Sequence, residues 1–136
     1  MKRMLVGSLL LASRLAFGDD YDCKPTVKYD CTATACTRDP SNGFRTAEAF
    51  AFASKTNTLT ACLWTSCWEG KATQLQRAPL SLTGGLPSQN PGYGTIVVSL
   101  TINDDKSFVA TYGQDGRSIT LDMGTCTVKP GAGPPT

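Results

Sequence analysis

Three consecutive runs of apolar–polar alternation lie between residues 95 and 123, and they constrain this chain more than any other feature. In the first, Ile96, Val98, Leu100 and Ile102 share one face. Asn103-Asp104-Asp105-Lys106 turns the chain, and Phe108, Ala110 and Tyr112 repeat the pattern. After Gly113-Gln114-Asp115-Gly116, Ile119, Leu121 and Met123 repeat it once more. A period of two is the spacing of side chains on one face of a β-strand, and short polar turns between such runs make antiparallel neighbours. The expectation is a three-stranded meander that lays all three apolar faces on one core.

The earlier half carries the same grammar in shorter pieces. Asp19-Asp20-Tyr21-Asp22 reads as a loose acidic lead-in, followed by a strand with Val27, Tyr29 and Cys31 on one side. Residues 38–43 hold Pro40 and an Asn42-Gly43 step, a turn signal. Residues 47–54 are rich in alanine, yet Phe50 and Phe52 stand two apart, which argues for a strand. Leu59, Ala61 and Leu63 alternate just beyond, so the pair reads as a hairpin. Residues 71–77 and 80–83 are two short strands around Pro79, and the glycine- and proline-rich residues 84–94 form the longest loop. Seven or eight short strands without a helical period make an all-β domain. A small antiparallel meander barrel is preferred to a β-sandwich, because closure leaves no bare edge.

Residues 1–18 read as a signal peptide. Lys2 and Arg3 precede an apolar run from Met4 to Leu11, and Ala16-Phe17-Gly18 offers small residues at a cleavage site, although Arg14 is out of pattern. That run falls well short of the ~18 apolar residues of a membrane span. Residues 19–128 then form a single β-domain, and 129–136, with three prolines and two glycines, a flexible tail. Loss of Lys2, Arg3 and Arg14 leaves ten basic against eleven acidic residues, a formal charge of −1 in place of +2. No basic surface remains to suggest nucleic acid or anionic lipid.

All six cysteines, Cys23, Cys31, Cys36, Cys62, Cys67 and Cys126, fall in the mature part. An even count in a small exported chain indicates disulfides and an oxidising compartment, the periplasm or the exterior; a zinc site is the weaker reading of the two C-x₄-C pairs. Cys62 and Cys67 on a straight strand would stand roughly 16 Å apart, beyond the ~7 Å between Cα atoms that a bridge tolerates. Either each close pair bridges across a turn, or Cys31–Cys67 and Cys36–Cys62 join neighbouring strands in one register. Both schemes leave Cys23–Cys126 to tie the two ends of the domain.

The chain contains no histidine, which removes Ser-His-Asp triads, Cys-His dyads and ordinary catalytic zinc sites. No glycine pattern cradles a phosphate, no metal site or cofactor is indicated, and paired cysteines supply no thiolate. Glu48, Glu69, Asp104 and Asp105 are the residual acid–base candidates, with Asp104 and Asp105 better explained as turn residues. The block 62–71 gathers Cys62, Cys67, both tryptophans, Glu69, Gly70 and Lys71. Trp64, Trp68, Glu69 and Lys71 are therefore the candidate binding residues, with Trp68 favoured as core and Trp64 as a tip residue if Cys62–Cys67 closes a turn.

Tyr29-Asp30-Cys31, the block from Cys62 to Ala72 and the closing run from Ile119 to Cys126 together resemble small exported proteobacterial proteins without an assigned activity. That resemblance implies export and no mechanism. In size, in Tyr21-Asp22-Cys23 and in its late cysteine, the chain is also similar to periplasmic inhibitors of c-type lysozyme, which are small disulfide-tied β-barrels. It lacks the serine-and-glycine inhibitory loop of that family, so no inhibitory residue transfers. The expected function is a non-enzymatic exported domain that binds a protein or glycan of the cell envelope. The alternatives are a carboxylate-dependent hydrolase of envelope polysaccharide and a barrel carrying a small ligand or lipid.

Overall fold

The computed structural model describes residues 18–39, 48–63, 66–113 and 117–131. Residues 1–17 of the expected signal peptide, the expected turns at Asn42-Gly43 and at 114–116, Trp64 and the end of the tail lie outside them. The described residues form an antiparallel, nearly closed, barrel-like sheet. Its strands are β1 (Asp20–Cys31), β2 (Cys36–Arg38), β3 (Ala49–Ala53), β4 (Thr58–Cys62), β5 (Cys67–Lys71), β6 (Thr73–Arg77), β7 (Leu80–Pro87), β8 (Thr95–Ile102), β9 (Ser107–Gly113) and β10 (Ile119–Lys129).

The sheet runs β5-β4-β3-β1-β10-β9-β8-β7-β6, with β2 added on β1. The acidic lead-in is no loose end. Asp20 begins the central strand, paired with Lys129 on one side and Ala53 on the other. The alanine-rich segment is the strand β3, and its hairpin with β4 sets Phe50 on Ala61 and Phe52 on Leu59.

Closure comes from β5, β6 and β7. Trp68 bridges Ser88. Five residues on along the first strand and five back along the second, Thr73 pairs Thr83, so β5 and β6 follow one register against β7. Residues 84–87, expected as loop, therefore belong to β7. Their glycines let two backbones approach: a Cβ on Gly84 would stand 3.0 Å from the Lys71 carbonyl, and one on Gly70 3.0 Å from that of Gly85.

The interior is filled mainly by side chains from β3, β4, β7, β8 and β9. Phe50, Leu59, Leu82, Leu86, Val98, Leu100 and Phe108 are all fully buried. The Phe50 ring meets Phe108 edge-on at 5.9 Å and Tyr112 at 5.8 Å. Such a packed lumen is what an eight-stranded barrel of ordinary side chains produces.

Three disulfides join direct cross-strand partners: Cys23–Cys126, Cys31–Cys36 and Cys62–Cys67. The turn-closing scheme is the one observed. Beyond Cys62, the Leu63 N–H donates to the Ser66 carbonyl at 2.9 Å, which folds the chain back on itself. Cys23–Cys126 points into the barrel, whereas the other two lie on its outer surface.

Candidate functional site

The block 62–71 is divided by the pleat of β5. Trp68 shares the inner face with Ala61, is buried, and its indole N–H donates to the Gly94 carbonyl at 3.1 Å. Tyr93, itself 43 % exposed, stacks edge-on against it at 6.2 Å. Glu69 and Lys71 are on the opposite, outer face. Glu69 accepts from the Thr60 hydroxyl at 3.2 Å, and the Lys71 ammonium donates to the Thr56 carbonyl at 2.6 Å. Trp68 thus supports the Tyr93 loop from inside, while Glu69 and Lys71 are surface charges behind it. Trp64 is not among the described residues.

The carboxylates do not converge. Glu48 stands just before β3, at the barrel end where Cys62 and Cys67 meet, and Asp104 and Asp105 occupy the β8–β9 turn at the other end. Asp105 is engaged in that turn. Its carboxylate accepts from the Ser107 hydroxyl at 2.6 Å and from the Ser107 N–H at 2.9 Å, which lowers its pKa.

The least ordinary region lies where β1 and β10 run beside β9, because there the expected inner face of β10 is turned outward. Tyr112 pairs with Thr120, Ala110 with Asp122 and Phe108 with Gly124. Since Phe108, Ala110 and Tyr112 face the core, so do Thr120, Asp122 and Gly124. Ile119, Leu121 and Met123, expected in the core, point outward instead. On β1 the register shifts between Pro25 and Val27. This bulge inverts the alternation: Cys23 faces inward, but beyond it Lys28 and Asp30 face inward and Val27 and Tyr29 outward.

The outcome is an apolar patch on the outside of the sheet. Val27, Met123 and Val109 make one cross-strand row, Tyr29 and Leu121 the next, and Cys31 and Ile119 a third beside the Cys31–Cys36 bridge. Val27, Tyr29, Leu121 and Met123 are half-buried, whereas Ile119 and Val109 are exposed, at 50 % and 37 %.

Beneath the patch sits Asp122, the one charged residue that is fully buried among those described. Neither carboxylate oxygen has a hydrogen-bond partner. Burial raises its pKa to about 7; the ammonium of Lys28, its cross-strand partner, pulls it down, as does the Tyr112 hydroxyl, which lies nearby but out of regular hydrogen-bond geometry, and Asp30 adds to the rise. Asp30 itself accepts from the Thr120 hydroxyl at 3.2 Å. Residue types alone could not place this site, because alternation does not say which face turns inward.

Comparison with protein-family models, with curated proteins and with solved structures finds no match.

Proposed function

We propose that this chain is an exported, non-enzymatic binding domain whose partner is a protein, held on the outward rows of β1, β10 and β9. The observation that carries this reading is the patch itself: three strands present apolar side chains to solvent and turn Lys28 and Asp122 inward. A contiguous apolar surface of this kind marks interaction sites on soluble proteins. It suits a protein better than a glycan, because its rows are mostly aliphatic and Tyr29 is their one aromatic ring. Glu69 and Lys71, exposed on β5, remain candidates for peripheral polar contacts, and Trp64, outside the described residues, remains a candidate from the sequence alone.

The three disulfides support export to an oxidising compartment, periplasmic or extracellular. The packed lumen weighs against a lipid or small-ligand carrier, and the dispersed carboxylates against a two-carboxylate hydrolase. The test is affinity capture from envelope extract, comparing the mature wild type with Met123→Glu. Equal capture of the same protein by both would count against the patch, and retention on envelope glycans would favour a sugar ligand.

A further inference from the structure

Asp122 and the apolar rows occupy opposite faces of the same few residues. On β10, Leu121 and Met123 point out and Asp122 between them points in; on β1, Val27 and Tyr29 point out and Lys28 between them points in. Any movement that hydrates the Asp122 carboxylate must therefore disturb the rows on the other side of the strand.

No disulfide crosses this segment. Cys126, four residues past Asp122, is tied to Cys23, and Gly124 is wedged beneath the Lys24 carbonyl and the Phe108 ring. The Cys31–Cys36 bridge fixes β1 to β2 and does not reach β10. The half of β10 from Ile119 to Met123 is held by its ladders to β1 and β9 alone among these restraints.

We propose that Asp122 is a proton-operated latch that controls the outward face of β1 and β10. With its proton, the neutral carboxyl rests in the barrel and β10 lies flat, with Leu121 and Met123 in their rows. Without it, a carboxylate is buried with only the Lys28 ammonium and the nearby Tyr112 hydroxyl to offset the loss of water, and the start of β10 lifts towards solvent. The charged and titratable groups facing Asp122 are Lys28 and Asp30 from β1 and Tyr112 from β9; Ala110, its direct neighbour on β9, is apolar. Lys28 favours the ionised form and Asp30 the neutral one, while the dominant influence is burial, which sets the transition near neutral pH, at about 7. As a binding control this rests on the patch being the partner surface; as a property of the barrel it does not.

The test uses the mature chain without a partner. A carbon-detected NMR titration follows the Asp122 carboxyl, and amide exchange, corrected for its intrinsic pH dependence, is read at pH 5.5 and 8. The carboxyl is expected to titrate near neutrality, and protection of the amides of residues 119–123 to fall about tenfold or more at the higher pH. Those of Leu100 and Ile102 serve as the reference and should change less. Asp122→Asn should keep full protection at both values. Titration of Asp122 in the ordinary carboxylate range would overturn the latch, as would the same loss of protection in Asp122→Asn. If that variant does not fold, the wild-type titration decides alone. A latch that works in a protein whose capture ignores Met123→Glu would refute the partner surface and leave the latch standing.

Discussion

Lys28 and Asp122 stand directly opposite each other on β1 and β10, and both face the interior of the barrel. A lysine and an aspartate turned inward within the longest pairing in the sheet leave the apolar residues beside them on those two strands on the outside. The buried carboxyl and the exposed patch are thus two sides of one arrangement, and each has measurable consequences.

The first concerns stability against pH. The folded-state pKa of Asp122 lies above its unfolded value, so the native chain keeps a proton that the unfolded chain has released. The contribution of Asp122 to stability is then fully present below the ordinary carboxylate range and is lost as pH rises towards about 7. Linkage puts the change on the order of 2–4 kcal/mol. Calorimetry should give a higher melting temperature at pH 5 than at pH 8, and Asp122→Asn should remove most of that difference. Asp105 works in the opposite sense and in a lower window, since its depressed pKa loses stability only as pH falls below the ordinary carboxylate range.

The three disulfides should contribute unequally. Cys23–Cys126 spans 103 residues of sequence, whereas the other two span five each. In the chain-entropy picture the long loop is worth about 4.7 kcal/mol and each short one about 2 kcal/mol. Denaturant unfolding of the Cys23→Ala/Cys126→Ala double variant should show the largest loss, and the Cys31/Cys36 and Cys62/Cys67 double variants smaller losses of similar size.

Gly124 is required by a close approach. A Cβ there would collide with the Lys24 carbonyl and stand 3.0 Å from Phe108 Cε1. Because backbone and a core ring must both yield, Gly124→Ala should cost about 1–3 kcal/mol, as overpacking does. Gly85→Ala, whose Cβ would meet only Thr95 at 3.8 Å, is the control and should be far milder in the same unfolding experiment.

Trp68 anchors the loop that carries Tyr93. Trp68→Phe removes the donor to the Gly94 carbonyl and part of the contact with Tyr93. A loss of about 1–3 kcal/mol follows from the vacated hydrogen bond and the smaller ring. Exchange of the Ser88 amide, which donates to the Gly94 carbonyl at 3.3 Å, should accelerate in this variant.

Much of the barrel is legible in the residues themselves. Ile96, Val98, Leu100 and Ile102, with Phe108, Ala110 and Tyr112, are buried as their alternation implies. β3 is a strand despite its alanines, because Phe50 and Phe52 need one inner face. The same argument misplaces Ile119, Leu121 and Met123: a period of two identifies a strand, but the register with β9 decides which set turns inward. On β1, the bulge after Pro25 changes the face midway; Pro25, which has no N–H for the ladder, is the one local sign of it, and it does not say which face turns inward. Gly84 to Pro87 look like loop because their glycines serve a close approach of β5, which is tertiary information. The cysteine pattern was consistent with two bridging schemes, and strand register selects between them.

The central claim is that the outward rows on β1 and β10 hold a protein partner, and quantitative affinity capture from envelope extract tests it most directly. Wild type and Leu75→Ser, a change at the exposed β6 residue away from the patch, should retain the same protein. Leu121→Ser and Met123→Glu, each checked for folding, should reduce its recovery tenfold or more. Recovery unaffected by both patch substitutions would contradict the account.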